Sequence, residues 1–437
     1  MNNCKQLDNC KQLDRDLKKE LTVRANENAM GMRPKPFKVY REVDGKLIIP
    51  RFYKTSHKQK TSKGEEQLFH FEGTLRRHQK EAIDAFQGNG VLCLPCGQGK
   101  TLTAIAIACK LKRKTLILVH KEFLASQWIE RIQQFTNGST VGRIQGSIWD
   151  TDGHQFVIAM IQTLCTREFP ENAFDIFGLV IVDEAHHIGA PAFSQVMLRM
   201  CPEYTLGLTA TPDRKDGLTK ILYWFLGPSF YTMKMEPTEF SINKVDFDCP
   251  RIFKEGPHLN RFGKIQMSTM VTELTFIPER NALILEHIKD AQKRNRKILV
   301  LSDRRGHCEY MYSQLDPEKT NIHMGGSKGF PDIGGGTLIS TFSLAYEGLD
   351  IPELDTLFLT TPHSDVKQAV GRITRSKGSI KEIWDFVDNW SIFKPMWYKR
   401  KRIYDGDSDL DKSSDLDKST DLDKSSDLDK CLFSITN

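Results

Sequence analysis

Residues 94–101 read Leu-Pro-Cys-Gly-Gln-Gly-Lys-Thr, and they lie between a short apolar run and a segment with helical periodicity. Glycines let backbone N–H groups curl around phosphate oxygens, and a helix beginning near Lys100 would direct its positive end to the same place. By this pattern Lys100 would reach the β- and γ-phosphates of a nucleotide, and the hydroxyl of Thr101 would bind Mg²⁺. Leu94 occupies the place of the first glycine in the strict pattern, so the stretch alone also fits a Gly-rich turn.

The sequence around this loop alternates short apolar runs with amphipathic segments. Strand-like runs lie at 91–94, 116–120, 156–160, 178–182, 205–208, 297–301, 337–341 and 356–360. A β-then-α rhythm predicts a parallel sheet with helices on both faces. Because the rhythm pauses once and then resumes, we expect an α/β fold with two such units, at 71–230 and 277–395, joined by a linker at 231–276.

Length and charge limit the class of protein. The chain has 437 residues, with 62 Lys and Arg against 56 Asp and Glu, so its formal charge of +6 excludes a histone-like basic protein. No apolar run approaches the ~18 residues of a membrane helix, and the N-terminus lacks the apolar core of a signal peptide. Ten scattered cysteines favour a reducing, intracellular compartment.

Both ends of the chain have low complexity. Residues 3–8 are repeated at 9–14, and we expect an N-terminal appendage at 1–70. A basic patch opens the C-terminal segment 396–437, and Asp-Leu-Asp-Lys then occurs four times. One Leu in every six residues forms no apolar stripe and cannot offset the entropy of ordering the backbone, so this tail is predicted to be disordered. Residues 405–430 hold ten Asp and four Lys, a charge of −6, which leaves +12 on the rest of the chain.

A second motif supplies carboxylates at the end of an apolar run. Residues 178–187 read Gly-Leu-Val-Ile-Val-Asp-Glu-Ala-His-His. Asp183 would hold Mg²⁺ directly or through water, and Glu184 would orient or deprotonate an attacking water. A strand end with solvated acids is the simpler alternative. His186 and His187 have no further ligand spacing around them, so a metal site of their own is not expected.

Further motifs follow in order and carry a family resemblance. Upstream stands Leu-Arg-Arg-His-Gln at 75–79, and downstream stand Thr-Ala-Thr-Pro at 209–212, Ser-Asp-Arg at 302–304 and Gln-Ala-Val-Gly-Arg-Ile-Thr-Arg at 368–375. The chain resembles the superfamily 2 helicases of the DEAH-bearing XPB/UvsW-like group over about residues 40–390. That group's first motif commonly reads Leu-Pro-Cys-Gly-x-Gly-Lys-Ser/Thr. The resemblance implies two tandem RecA-like domains that bind ATP and Mg²⁺.

The resemblance also implies a role for individual residues. The nucleotide-binding residues would be Arg76, Gln79, Pro95, Cys96, Gly97, Gln98, Gly99, Lys100, Thr101, Gly348 and Asp350, with Arg76 and Gln79 on the base side. The nucleic-acid contacts would be His120, Lys121, Gln162, Thr163 and Thr341. The residues that couple hydrolysis to strand movement would be His186, Thr209, Thr211 and Gln368. The catalytic set would be Lys100, Asp183, Glu184, Arg372 and Arg375, with Thr101 and Asp183 at the metal. The two arginines suit the γ-phosphate because a guanidinium is planar, multidentate and always charged.

Within this group the chain most resembles the phage and large-DNA-virus members, including the poxvirus transcript-release helicase. The resemblance implies a nucleic-acid-stimulated ATPase that unwinds or remodels duplexes, with DNA favoured over RNA and 3′→5′ polarity. An ATP-driven transcript-release or remodelling translocase with little strand separation is an alternative, as is the motor part of a restriction-type nuclease. A nucleotide-binding scaffold without catalysis is disfavoured by Glu184 and the two arginines. We expect a monomer that makes no membrane contact and that, if viral, acts in the host cytoplasm or nucleus or enters the virion.

Overall fold

The structure is a computed structural model, and the residues that it describes fall into several ranges. These are 11–26, 34–53, 61–95, 97–170, 172–189, 191–210, 214, 216–233, 240–250, 256–261, 263–325, 333, 336–348, 351, 353–364, 366–373 and 380–405.

The N-terminal appendage folds into one helix and two small antiparallel pairs of strands. These elements are α1 Lys11–Glu20, β1 Thr22–Val23, β2 Phe37–Lys38, β3 Arg41–Val43 and β4 Lys46–Ile48. The tight turn between the last two strands uses Asp44 and Gly45, both with positive φ, which is the backbone that a two-residue hairpin turn requires. Val23 and Val39 are buried in the core of the following unit, so the appendage is packed against it.

The first large sheet has eight strands in the order β12-β5-β11-β10-β6-β9-β7-β8, and only the edge pair β7–β8 is antiparallel. The strands are β5 Asn89–Cys93, β6 Thr115–Val119, β7 Val141–Gln145, β8 Ile148–Asp150, β9 Phe156–Met160, β10 Leu179–Val182, β11 Tyr204–Thr209 and β12 Ser229–Thr232. Successive residues of a strand point to opposite faces, so Leu116 and Leu118 enter one core while Ile117 and Val119 enter the other.

Helices cover both faces of this sheet. They are α2 Arg77–Ala85, α3 Lys100–Leu111, α4 Glu122–Phe135, α5 Ile161–Thr166, α6 Pro191–Met197 and α7 Thr219–Leu226, with a 3₁₀ turn at Ala185–Gly189. A sheet that is buried on both faces needs near-continuous apolar strands, and β6, β9 and β10 meet this requirement.

The second large sheet is parallel throughout, with the order β13-β18-β17-β14-β16-β15. Its strands are β13 Phe240–Phe247, β14 Ile298–Ser302, β15 Thr320–His323, β16 Thr337–Thr341, β17 Thr356–Leu359 and β18 Lys381–Asp388. Its helices are α8 Met267–Leu274, α9 Pro278–Lys293, α10 Arg305–Ser313, α11 Phe342–Gly348, α12 Lys367–Ile373 and α13 Phe393–Tyr404. The predicted α/β class with tandem RecA-like parallel sheets is confirmed.

Two expectations about the organisation differ from the structure. Part of the expected linker 231–276 is β13, whose alternating apolar and polar residues suit an edge strand with one exposed face. Part of the expected basic patch is buried. Arg400 of α13 lies inside the second unit, where it forms two hydrogen bonds of 2.7 Å with the carboxylate of Asp385. The repeats at 406–437 lie outside the described residues. Across the described ranges, no helix is long and apolar enough to span a membrane.

Candidate functional site

The loop between β5 and α3 has the backbone that a phosphate-binding turn requires. Gly97 and Gly99 have φ values of +79° and +77°, which favour glycine. The ammonium of Lys100 lies back over the loop and donates to the carbonyl of Leu94 at 3.2 Å. Thr103 closes the first turn of α3 by donating from its backbone N–H and its hydroxyl to the carbonyl of Gly99, both at 3.0 Å. The loop is therefore a preformed turn with a cation inside it.

The start of α2 is hydrogen-bonded to this loop. Gln79 is only 2% exposed; its amide oxygen accepts from the backbone N–H of Arg76 at 2.7 Å, and its amide nitrogen donates to the carbonyl of Gly99 at 3.3 Å. The ring Nε2 of His78 lies 3.0 Å from the carbonyl of Gln98. An amide has four hydrogen-bonding positions, so one N–H and one lone pair of Gln79 remain for the base contact that the sequence predicts.

Asp183 lies directly beyond the end of β10, close enough to Lys100 for the two charges to interact. One carboxylate oxygen accepts from the backbone N–H of Glu184 at 3.0 Å, and the other accepts from the indole N–H of Trp128 at 2.9 Å. Burial and the neighbouring charge of Glu184 raise the pKa of Asp183 to about 6, while Trp128 and Lys100 act in the opposite direction. A cation bound here would favour the ionised carboxylate.

Glu184 follows in a strained backbone conformation. Its φ of +46° lies in the left-handed region, where a non-glycine residue costs about 1–3 kcal/mol. Its Oε2 atom is buried without a hydrogen-bond partner among the described residues, and it lies 3.4 Å from Nδ1 of His186. A buried, unpartnered carboxylate oxygen beside Asp183 fits a site completed by a metal ion, a nucleotide and water.

Mg²⁺ is usually held by one or two carboxylates together with substrate phosphates rather than by a cage of side chains. The described residues contain no group of three or more His, Cys, Asp or Glu that could hold a metal ion by itself. Thr101 is the second residue of α3, and it carries the hydroxyl that the sequence predicts at the metal. The donors present therefore fit Mg²⁺ only as a partner of a bound nucleotide.

Three histidine rings form a continuous row beside the carboxylates. The rings of His120 and His187 have centroids 4.5 Å apart, and those of His187 and His186 are 4.3 Å apart. Nδ1 of His186 lies 3.3 Å from the hydroxyl of Thr209, so two of the predicted coupling residues are in contact. Burial lowers the pKa of His120 to about 4 and that of His186 to about 3, with a further contribution from His187 in each case. Both rings are therefore neutral at pH 7.

Arg214 connects the segment after β11 with the carboxylate motif. Its guanidinium donates to the carbonyl of His186 and, at 2.9 Å, to a carboxylate oxygen of Asp216. Gly189 leaves the space for it, because a Cβ there would lie 2.7 Å from the guanidinium carbon. Arg214 follows the Thr-Ala-Thr-Pro motif closely in the sequence, but its contact with His186 depends on the fold.

The predicted nucleic-acid residues of the first unit are neighbours in space. Gln162 donates from its side-chain amide to the carbonyl of His120 at 2.6 Å, across the carboxyl ends of the adjacent strands β6 and β9. Lys121 is the residue before α4, and the hydroxyl of Thr163 accepts from the backbone N–H of Gly146 at 2.9 Å. These residues form one edge of the unit, and their contact with nucleic acid stays a prediction.

The predicted residues of the second unit lie on α11, on α12 and at the end of β16. Arg372 is 7% exposed and donates from Nε to the carbonyl of Ala345 at 2.9 Å, and Gln368 lies half-buried on the same helix. Thr341 ends β16, and Gly348 ends α11. The roles of these residues stay predictions. Four predicted site residues lie outside the described residues, namely Cys96, Thr211, Asp350 and Arg375.

Trp128 is the residue of the site that the sequence did not indicate. Trp128 lies on α4, and its indole is turned inward to Asp183. A tryptophan at an apolar helical position gives no local sign of such a bond. Only a covariation between positions 55 residues apart could have pointed to it.

Comparison with known proteins finds similarity in the part of the chain that contains this site. The family model described as "type III restriction enzyme, res subunit" matches residues 72–214. A protein of Acanthamoeba polyphaga mimivirus named as an ATP-dependent RNA helicase is 36% identical over 329 residues, which cover 70% of this chain and 62% of the relative. A protein of Invertebrate iridescent virus 6 named as a helicase is 28% identical over 365 residues, which cover 76% of this chain and 81% of the relative.

Among solved structures, the helicase domain of Pyrococcus furiosus Hef is similar in fold. The TM-score is 0.50 at 16% sequence identity, and the match covers 75% of this chain and 98% of that domain. This likeness concerns the fold alone. Over 70–76% of its length, the chain is similar in sequence to proteins of large DNA viruses that are named as helicases.

Proposed function

We propose that the protein is an ATP hydrolase that uses Mg²⁺ and couples hydrolysis to movement along nucleic acid. The observation that carries the proposal is the meeting of three charged groups at the carboxyl edge of one sheet. Lys100 follows β5, Asp183 and Glu184 follow β10, and the charges of Lys100 and Glu184 both act on Asp183. A parallel α/β sheet binds ligands at this edge, and a cation facing two carboxylates suits a metal-bound triphosphate.

Each residue has a chemical task in this proposal. Lys100 and the N–H groups at the start of α3 hold the phosphates, and Thr101 with Asp183 holds the metal. When bound, Mg²⁺ would neutralise charge that develops on the phosphates. Glu184, with one carboxylate oxygen free to accept, orients the attacking water and takes its proton. Arg372 and Arg375 would approach from the second unit, as the resemblance implies.

The nucleic-acid part of the proposal rests on the edge formed by His120, Lys121 and Gln162. Backbone contacts of this kind read phosphates and sugars, so binding should be weakly sequence-specific and sensitive to salt. The resemblance favours DNA with 3′→5′ polarity, whereas the mimivirus relative is named as an RNA helicase. We propose duplex unwinding or remodelling on DNA, with RNA as the second candidate.

The first experiment measures the ATPase rate with and without single-stranded DNA, RNA or duplex. In the wild type, at least one nucleic acid should raise the rate. Glu184→Gln should abolish the stimulated turnover, because the amide cannot take a proton. Glu286→Gln is a matched control, since Glu286 is exposed on α9 of the other unit. If no nucleic acid changes the ATPase rate, the proposed coupling of hydrolysis to movement along nucleic acid is wrong. If Glu184→Gln keeps full turnover, the role proposed for that carboxylate is wrong.

A second experiment separates unwinding from translocation. Forked duplexes with a 3′ or a 5′ single-stranded tail are incubated with ATP, and strand separation is followed on gels. Displacement that requires a 3′ tail supports the proposed polarity. ATP turnover and displacement of a bound protein or transcript without strand separation would instead favour the remodelling translocase.

A further inference from the structure

Trp128 lies at the centre of the first unit, although the proposed reaction gives it no task. It is 1% exposed, on the buried face of α4, and its indole N–H donates to Oδ2 of Asp183 at 2.9 Å. An indole nitrogen is a donor only, so Trp128 cannot bind a metal or accept a proton. Its effect on the site can come only through the carboxylate that it contacts.

That contact completes a pair of donors around Asp183. The backbone N–H of Glu184 donates to Oδ1, and Trp128 donates to Oδ2, so each oxygen keeps one lone-pair direction for another partner. Two donors on opposite oxygens define the plane of the carboxylate. The backbone donor belongs to a residue with strained φ, whereas the indole is held by the packed core around it. The indole is therefore fixed by packing as well as by its hydrogen bond.

We propose that Trp128 is a positioning residue that orients the carboxylate of Asp183 for Mg²⁺. This inference rests on the proposed function and deepens it, because it assigns the orientation of the metal ligand to one side chain of α4. Partners that hold a ligand in this way usually change metal affinity about 10–100-fold when they are removed. The phosphates of the nucleotide also hold the ion, so we expect the lower end of that range.

The test measures nucleotide affinity rather than turnover. A fluorescent, non-hydrolysable ATP analogue is titrated with the protein, and its anisotropy is recorded once with Mg²⁺ and once with EDTA. The dissociation constant in EDTA divided by that in Mg²⁺ reports the contribution of the metal. Trp128→Phe should reduce this ratio about tenfold while leaving the dissociation constant in EDTA within twofold of the wild type. The EDTA value reports whether the phosphate loop remains folded.

The matched control is Trp149→Phe. Trp149 lies on the edge strand β8 of the same sheet and packs against Phe169 and Phe174, so it should change neither constant. If Trp128→Phe does not fold, site-specific incorporation of 3-benzothienylalanine at position 128 keeps the ring shape and removes only the N–H donor.

The outcomes distinguish this inference from the function on which it rests. A normal Mg²⁺ ratio in Trp128→Phe, or an equal loss of affinity in both solutions, would overturn the positioning role. Wild-type protein that does not bind the analogue in either solution would overturn the proposed function itself. Wild-type binding that is indifferent to Mg²⁺ would overturn the assignment of Asp183 to the metal.

Discussion

The phosphate loop should not tolerate an alanine at Gly99, for two separable reasons. A residue with a side chain at φ +77° costs about 1–2 kcal/mol. In addition, the new Cβ would lie 2.3 Å from the side-chain amide nitrogen of Gln79, a buried side chain whose amide oxygen and nitrogen both form hydrogen bonds. Overpacking of this kind costs about 1–3 kcal/mol, so Gly99→Ala should destabilise the first unit by about 2–5 kcal/mol.

Gly138→Ala separates the two contributions. Gly138 has φ +71° and open space within 4 Å of the position that a Cβ would take, so only the backbone cost remains. Thermal unfolding and binding of the ATP analogue are measured for both variants. Gly99→Ala should melt several degrees below Gly138→Ala and lose nucleotide affinity, which Gly138→Ala should keep. Combining Gly99→Ala with Gln79→Ala should recover part of the stability. Equal melting temperatures for the two alanine variants would refute the clash.

Three further predictions concern coupling, protonation and the second unit. His187→Leu interrupts the row of histidine rings, so it should lower the stimulation of the ATPase by nucleic acid several-fold while the basal rate stays near that of wild type. The matched control His323→Leu, on the edge strand β15, should leave the ratio of the stimulated rate to the basal rate unchanged. Because protonated Asp183 cannot bind Mg²⁺, kcat/KM for ATP should fall as the pH drops through about 6 and should level off above that pH. A flat profile between pH 5 and 7 would contradict the raised pKa of Asp183. Arg400→Met should destabilise the second unit by about 3–5 kcal/mol because it leaves Asp385 buried without its ion pair, whereas Arg402→Met, at an exposed site, should be nearly neutral in the same melting experiment. Weaker nucleic-acid binding by Arg400→Met without loss of stability would restore the basic-patch interpretation.

The local pattern of apolar residues was sufficient to predict the strands at the centre of both sheets. β6, β10 and β14 are buried on both faces, so they are short continuous apolar runs that contrast with their surroundings. β13 lies at an edge, and its alternation of apolar and polar residues resembled an irregular linker. Edge strands lose the strong signal because one face needs no apolar side chains.

The candidate site also has features that the local sequence indicates and features that only the fold reveals. Spacing indicated Lys100, Thr101, Asp183 and Glu184 as candidates, since phosphate binding and metal binding require these residue types at fixed distances from a strand end. Spacing could not indicate what each side chain contacts. Gln79 bonds to the loop 20 residues later, and Trp128 bonds to a carboxylate 55 residues later.

The sequence by itself therefore determined the class of fold, the order of the motifs and the identity of the charged groups, because these depend on periodicity and on short-range chemistry. The tertiary structure decided which groups meet. Parallel strands that are distant in the chain end at one edge of a sheet, so the loop after β5 and the carboxylates after β10 share a site. It also decided that Trp128 and Arg400 are buried partners of carboxylates rather than exposed contacts, because burial is a property of packing and not of local sequence.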